Sequence, residues 1–404
     1  MSVAIHRVCA ELGISPLDFY EKNLVYEDTV SQDNGRPMES VGPRPALARA
    51  LEVIDYRSKW HAPGTRTLPD GRLHGIGVYA TNDSHGSASS GSGMEVYMNS
   101  DGTANYTTGI SNVMNGCNSV AFALIIAETL GMPFENVTCS GYGNPHTSMD
   151  GGGQYGSRAA SCNGRAAMMA ALDIRQQMFE FLAGEWEVNV DDFDARDGKI
   201  FLKSDETKSI THAEVMSDID GPIMGKGIGF ENGSRIPFQG QPAGQSVTHR
   251  QGIAAIWEVA VDPETGEVEI LDFVNVGDCG RVIDRMQAEA QVLSAMWSQA
   301  GKVLMWEVKY DPQTGALLHQ SHLENKAMTA MDITEPDGDL NKSQFIETIG
   351  CQNAFGMMGI GEPTVISCTG ALTEAINNAI GIDGKICVQR PMTPSRILEA
   401  MGKA

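Results

Sequence analysis

No C-x-x-C pair, no unbroken apolar run of about eighteen residues and no excess of basic residues occur in this 404-residue chain. Each absence removes a class of function. The eight cysteines are scattered, so neither a zinc site nor an iron–sulfur cluster is written locally, and buried thiols in a reducing compartment are expected. Without a long apolar run, no helical membrane insertion is expected. The first residues, Met1 to Cys9, have neither the basic start nor the apolar core of a signal peptide, which makes the cytoplasm the expected location. With 51 acidic residues against 29 basic ones the formal net charge is −22, and such a surface repels a phosphate backbone. Nucleic acid is not an expected partner.

What is present is an ordinary globular composition, 42% apolar and 20% charged, on a chain long enough for two or three domains. Residues 2–22 carry apolar positions at helical spacing, broken by Gly13 and Pro16, and 45–56 resume the pattern. From Leu73 the period becomes that of strands, at Gly75–Ala80 and Met94–Met98. A hairpin turn at Asn99-Ser100-Asp101-Gly102 leads into Thr103–Thr107. Helices are predicted over Ser119–Leu130 and Ala159–Leu182, with a strand from Val137 between them. Gly221–Gly244, rich in Gly, Pro, Asn and Gln, reads as a long surface excursion. Strands at Ile253–Val261 and Glu267–Val276 are joined by the turn Asp262-Pro263-Glu264-Thr265-Gly266. A helix from Arg285 to Gly301, a strand through Val308 and helices over 370–380 and 394–401 follow. Strands and helices alternate without a βαβ rhythm, which predicts an α+β fold.

Three loops could carry chemistry. Gly361-Glu362-Pro363, reached through Phe355-Gly356-Met357-Met358-Gly359-Ile360, puts a carboxylate on a glycine-rich loop before a helix; it is either a general base or a surface Glu in a turn. Gly151-Gly152-Gly153-Gln154-Tyr155-Gly156-Ser157-Arg158 ends at a helix start. It suits an anion such as a phosphate, or serves as a linker with a surface Arg158. It is neither a P-loop nor a Rossmann fingerprint. Asn112 to Asn118 offers amides that suit the polar edge of a pterin or base, although Asn118 alternatively caps the helix. Gln291, in an apolar helix, needs a partner: a ligand or a neighbouring backbone.

In this order, the segments Ala10–Asn23, Ala127–Pro133, Gly156–Ala159, Val259–Gly266, Asp278–Ile283, Gly359–Pro363 and Pro391–Leu398 resemble the molybdenum-binding subunit of the xanthine dehydrogenase and aldehyde oxidase family. The resemblance covers nearly the whole chain. It implies that Glu362 matches the family's catalytic glutamate, a base that takes a proton from an oxygen on the metal as hydride leaves an electron-poor carbon. Gly156, Ser157, Arg158 and Ala159 match a loop contacting the molybdopterin, Gln291 matches a glutamine bonded to it, and Gly361 precedes the base. The stretch Met114-Asn115-Gly116-Cys117 stands where the family carries Gly-Gln-Gly, so either Asn115 substitutes for the glutamine with a shorter reach or that contact is lost, with Gly116 and Cys117 beside it in the cofactor wall. The protein is expected to supply no metal ligand, since the pterin dithiolene holds molybdenum.

The resemblance further implies three parts. Residues 1–72 would be a helical segment completing a preceding domain in a partner chain, 73–245 a first molybdopterin-binding subdomain, and 246–404 a second that carries Glu362. The chain resembles the C-terminal piece of a split molybdenum subunit. Expected partners are the N-terminal half, docked on a broad apolar surface, an FAD subunit and a [2Fe–2S] subunit, with the cofactor in its cytosine dinucleotide form. The expected activity is hydroxylation of an N-heteroaromatic or aldehyde substrate. A reductive dehydroxylase of an aromatic thioester and a non-catalytic scaffold subunit are the alternatives.

Overall fold

The computed structural model describes residues 2–26, 28–30, 38, 41–83, 91–111, 116–229, 251–329, 332, 342–348, 354–381 and 389–403. Four helices come first: α1 (Ser2–Leu12), α2 (Pro16–Asn23), α3 (Pro43–Ile54) and α4 (Tyr56–Lys59). The middle of the chain forms β1 (Leu73–Asp83), β2 (Ser92–Met98), β3 (Ala104–Thr108), α5 (Phe122–Leu130), β4 (Val137–Tyr142) and α6 (Gly164–Trp186). It continues through β5 (Phe193–Arg196), β6 (Lys199–Leu202), β7 (Asp205–Thr211), α7 (His212–Ile219) and β8 (Ile223–Gly229). The remainder holds β9 (Gln251–Val261), β10 (Val268–Asp278), α8 (Arg285–Leu304), β11 (Ser343–Ile346), α9 (Pro363–Ile380) and α10 (Pro394–Ala400). The fold is α+β. Among the described residues no helix is long and apolar enough to cross a membrane.

Two four-stranded sheets organise the molecule, with a small three-stranded sheet (β5-β6-β7) beside them. The first sheet runs β1-β9-β10-β11, antiparallel except for the β10/β11 pair. Its core joins Ile76, Val78, Ile256 and Trp257 to α9 through Leu372 and Ile376, to α3 through Leu47 and to α8 through Met296. The second sheet runs β4-β3-β2-β8, and its core sets Met94, Val96 and Tyr106 against Phe122 and Ile126 of α5 and Ala170 and Ile174 of α6. The cores therefore do not follow contiguous stretches of chain. β1 pairs with β9 along its whole length, and α2 and α3 bury Leu17, Tyr20, Leu47 and Ile54 in that same core.

Local signals explain most element ends. Ser15 accepts the Asp18 N–H at 3.0 Å and Pro16 opens α2, so the break at Gly13 is a capped restart. Asn99 and Gly102 close the β2/β3 hairpin, and the Asp262 turn joins β9 to β10. Two expectations fail. Part of the supposed excursion is strand β8, which pairs with β2 over Ile223–Gly229; the rest of it, 230–250, lies outside the described residues. No strand runs through Val308, where only an isolated bridge links Tyr310 to Leu317.

Strand β8 was missed because Gly225, Gly227 and Gly229 look like turn residues. They are instead a smooth strand face on which α6 lies flush: a Cβ at Gly227 would stand 1.9 Å from the Ala166 carbonyl oxygen. The same construction recurs in the other sheet. At Gly77 of β1 a Cβ would stand 2.2 Å from the Ala371 carbonyl oxygen of α9. Asn378 ties α9 down further, its Oδ1 accepting the Ile76 N–H and its Nδ2 donating to the His61 carbonyl, both at 3.0 Å.

A buried charge network crosses the first sheet. Glu258 accepts from His74 Nε2 at 2.8 Å and from Lys59 Nζ at 2.6 Å. Burial alone would raise its pKa, but the hydrogen bonds from His74 and Lys59 and their charges outweigh burial and hold it at about 2. A carboxyl depressed in the folded state stabilises fully above its ordinary value and stops doing so as pH falls through the folded one. Glu258→Gln is therefore expected to cost on the order of 3 kcal/mol at pH 7. The gap to wild type should narrow as pH drops from 4.5 towards 2. Urea midpoints of both proteins across that range check this; a gap independent of pH would refute it.

Candidate functional site

The two cores meet at a cavity of about 290 Å³. Gly116, Cys117, Ser157, Arg158, Ala159, Gln291, Gly361 and Glu362, eight of the residues singled out from sequence, all line it. Asn115 lies outside the described residues. Gly156 is not in the wall, but its N–H donates to Glu362 Oε1 at 3.1 Å.

Each wall is built by a loop entering a helix. Cys117–Ala121 and Ala159–Asn163 are π-helical turns that open directly into α5 and α6. Such widened turns are rare and favour functional sites. Gly156 and Ser157 both take left-handed backbone conformations, at φ +62 and φ +55, which for Ser157 is a strained one. What holds it is the glutamate loop. Ser157 Oγ accepts the Glu362 N–H at 2.8 Å, and Gly359 comes so close that a Cβ there would stand 1.9 Å from the Ser157 carbonyl oxygen. From the far side Gln291 Nε2 donates to the Gly361 carbonyl at 3.3 Å. Glu362 itself is the N-cap of α9, exposed to the cavity and fixed from two directions.

A third strip of wall is 279–282, laid alongside 356–358 by the Gly280/Met357 bridge, by Met358 N–H to Cys279 O at 2.7 Å and by Arg281 N–H to Gly356 O at 3.2 Å. Met357 belongs to the second core, where its methyl fills the space a side chain at Gly164 would need. The loop carrying Glu362 is thus anchored in both cores.

The structure resolves several alternatives left open by sequence. The Arg158 guanidinium is wholly buried. It donates to the carbonyls of Gly151 (3.3 Å) and Gly153 (3.1 Å) and to Ser92 Oγ (3.0 Å), so it shapes the glycine loop. Asn118 is no helix cap: its Nδ2 donates to the Ile110 carbonyl at 2.9 Å and its Oδ1 accepts from Gln154 at 3.3 Å, tying the two loops together. Gln291 finds a backbone partner. Burial pushes the Cys117 thiol up to about 11, so it is protonated at neutral pH. Among the cavity residues that sequence reading missed are Arg281, Asp284 and Gln287. Gln287 was findable, since it stands one helical turn before Gln291 on the same face of α8.

Besides the charged Arg281, Asp284 and Glu362, the wall offers neutral hydrogen-bonding groups: glutamine amides, backbone groups of left-handed and π-helical turns, and glycines that bring backbone to the surface. This set of neutral donors and acceptors fits a flat, polar heterocycle, and the bare backbone of Gly116 lets the Gln287 amide lie against it. Residues 49–334 match the family model of the molybdopterin cofactor-binding domain. The chain belongs to that family.

Other proteins carrying this molybdopterin-binding fold are similar along nearly the whole chain. The nicotine 6-hydroxylase large subunit of Paenarthrobacter nicotinovorans is 25% identical over 401 residues, covering 96% of this chain and 48% of that protein. A putative xanthine dehydrogenase molybdenum-binding subunit of Escherichia coli K12 is 23% identical, with coverages of 96% and 50%. Among solved structures, quinoline 2-oxidoreductase of Pseudomonas putida 86 superposes with a TM-score of 0.81 at 20% identity, covering 99% of this chain and 51% of that one. CO dehydrogenase of Oligotropha carboxidovorans superposes at 0.83 and 19% identity, with coverages of 99% and 51%. These structural likenesses establish the fold. The chain spans about half the length of the relatives it matches.

Proposed function

We propose that this chain supplies the base and part of the cofactor cradle of a multisubunit molybdenum hydroxylase acting on an N-heteroaromatic substrate. The observation that carries the reading is the seating of Glu362, whose carboxylate and N–H are both held by the Gly156-Ser157 loop of the cofactor-binding wall. The bound cofactor would supply the oxygen donor and the two-electron acceptor. Ser157, Ala159, Gly116 and Cys117 would hold it by backbone and small side chains, and Gln291 would fix the Glu362 loop beside it. Glu362 Oε1 is engaged by Gly156, which leaves Oε2 to receive the proton. A neighbouring base of modest strength suffices once the metal has acidified that proton.

Support for the substrate class comes from the names of the relatives: nicotine, xanthine and quinoline are N-heterocycles, although an aldehyde oxidoreductase subunit is also 25% identical. The cytosine dinucleotide form of the cofactor, and FAD and [2Fe–2S] subunits, belong to the same proposal, as does an N-terminal-half molybdenum subunit completing the site. Val308, Tyr310, Leu318 and Leu323 are exposed around one hairpin-like bridge and offer a partner subunit an apolar surface. Within this proposal residues 73–245 and 246–404 contribute opposite walls of one site. The test is elemental and nucleotide analysis of the complex that copurifies with this chain. Molybdenum, iron and acid-released CMP in fixed ratio to the chain are expected; a complex without molybdenum or pterin would refute the reading.

A further inference from the structure

Gln287 is the third residue of α8, where the spacing Asp284-x-x-Gln287 has the form of a capping box. Only half of that box is made. Asp284 accepts the Gln287 N–H at 2.8 Å, but the Gln287 side chain does not return to the Asp284 N–H. At Thr211 and Glu214 of α7 the complete box does form. The Gln287 amide is turned instead against Gly116, where a Cβ would stand 2.4 Å from its Oε1 and 2.6 Å from its Cδ. It lines the cavity, is partly buried, and makes no hydrogen bond among the described residues. The neighbouring amide Gln291 is committed to Gly361 and Asn118 to Ile110, so Gln287 differs from them in having its donors and its acceptor still available.

An amide in this condition has given up a local cap for a place in a cavity wall, and it presents a donor and an acceptor side by side in one plane. We propose that Gln287 binds the edge of a planar N-heterocycle that carries one N–H donor next to one carbonyl acceptor, as in a lactam. The ring is either that of the cofactor or that of a substrate; this rests on the functional reading above. Gly116 is part of the device, because any side chain there would displace the amide.

The experiment uses the copurifying complex with wild-type chain, Gln287→Leu and Gln287→Glu. Molybdenum and pterin per chain are measured first, then calorimetric binding of 2-pyridone and of N-methyl-2-pyridone, which lacks the donor. If the ring is a substrate's, wild type prefers 2-pyridone by about tenfold, Gln287→Leu loses that preference, and Gln287→Glu, which keeps an acceptor for the ring N–H but loses the donor to its carbonyl, binds both pyridones about tenfold more weakly, all at unchanged cofactor content. If it is the cofactor's, both variants retain less pterin and molybdenum. Unchanged content together with a 2-pyridone preference that Gln287→Leu leaves unchanged overturns the proposal. Glutamate keeps the size of glutamine, so weaker pyridone binding or lower cofactor content seen with both variants is not a packing effect; unaltered melting of the complexes confirms it. A wild-type complex devoid of molybdenum would refute the functional reading, yet the 2-pyridone preference would still decide the role of Gln287.

Discussion

Glu362→Gln is expected to lower turnover of the assembled complex by about 10²- to 10⁴-fold, the scale of losing a general base. Molybdenum content and melting temperature should stay where they were. The separation follows from which atoms hold the residue. Ser157 binds the Glu362 main-chain N–H, which the substitution does not touch. Gly156 donates to one side-chain oxygen, and a glutamine presents its carbonyl oxygen to the same N–H. Geometry is therefore preserved and only the capacity to receive a proton is removed. Single-turnover rates with metal content measured on the same samples check this. Equal rates in both proteins would take Glu362 out of the chemistry.

Gly77→Ala is expected to damage both stability and turnover although it stands on β1, against Ala371 and Ala375 of α9 and outside the cavity wall. Its new methyl would stand 2.2 Å from the Ala371 carbonyl oxygen and 2.3 Å from the Ala375 N, both backbone atoms that no rotamer change can move. Overpacking of this kind costs about 1–3 kcal/mol. The helix that must lift is the one whose N-cap is Glu362, and a displacement of about 1 Å at a reacting group can cost about 10²-fold in rate. Gly184→Ala on α6 is the control. Nothing lies within 4 Å of that position, in the last turn of α6, and replacing the glycine there should leave stability unchanged or raise it by up to about 1 kcal/mol. Thermal melts and rates of the three proteins decide the matter; a Gly77→Ala variant behaving like the control would contradict the packing argument.

The parts of the site that sequence made legible are those encoded in chemistry that has few other uses. A carboxylate framed by Gly359, Gly361 and Pro363 and a glutamine inside an apolar helix stand out because both are costly without a purpose. What stayed hidden depends on partners distant in the chain. Arg158 looked like an anion ligand, and only the folded loop shows that the carbonyls of Gly151 and Gly153 claim it. The π-helical turns at Cys117 and Ala159 leave no periodic trace, since one extra residue in a turn is smaller than the slack in any hydrophobic pattern. Strand β8 was lost to an ambiguity of glycine itself: the residue that breaks an element in isolation is also the one that lets a helix lie flat on a sheet.

That flat seating has a mechanical corollary. Helices α6 and α9 each touch their strand backbone to backbone, with no side-chain layer between them to act as a cushion. Sliding or rolling either helix would drive carbonyls into the strand, so neither cavity loop can be displaced by flexing its own helix. The two are joined at the Met357–Gly164 contact, where the loop of one helix is plugged into the first residue of the other. The site is thus constructed like a vice with rigid jaws, whose aperture is set by how the two cores are clamped together.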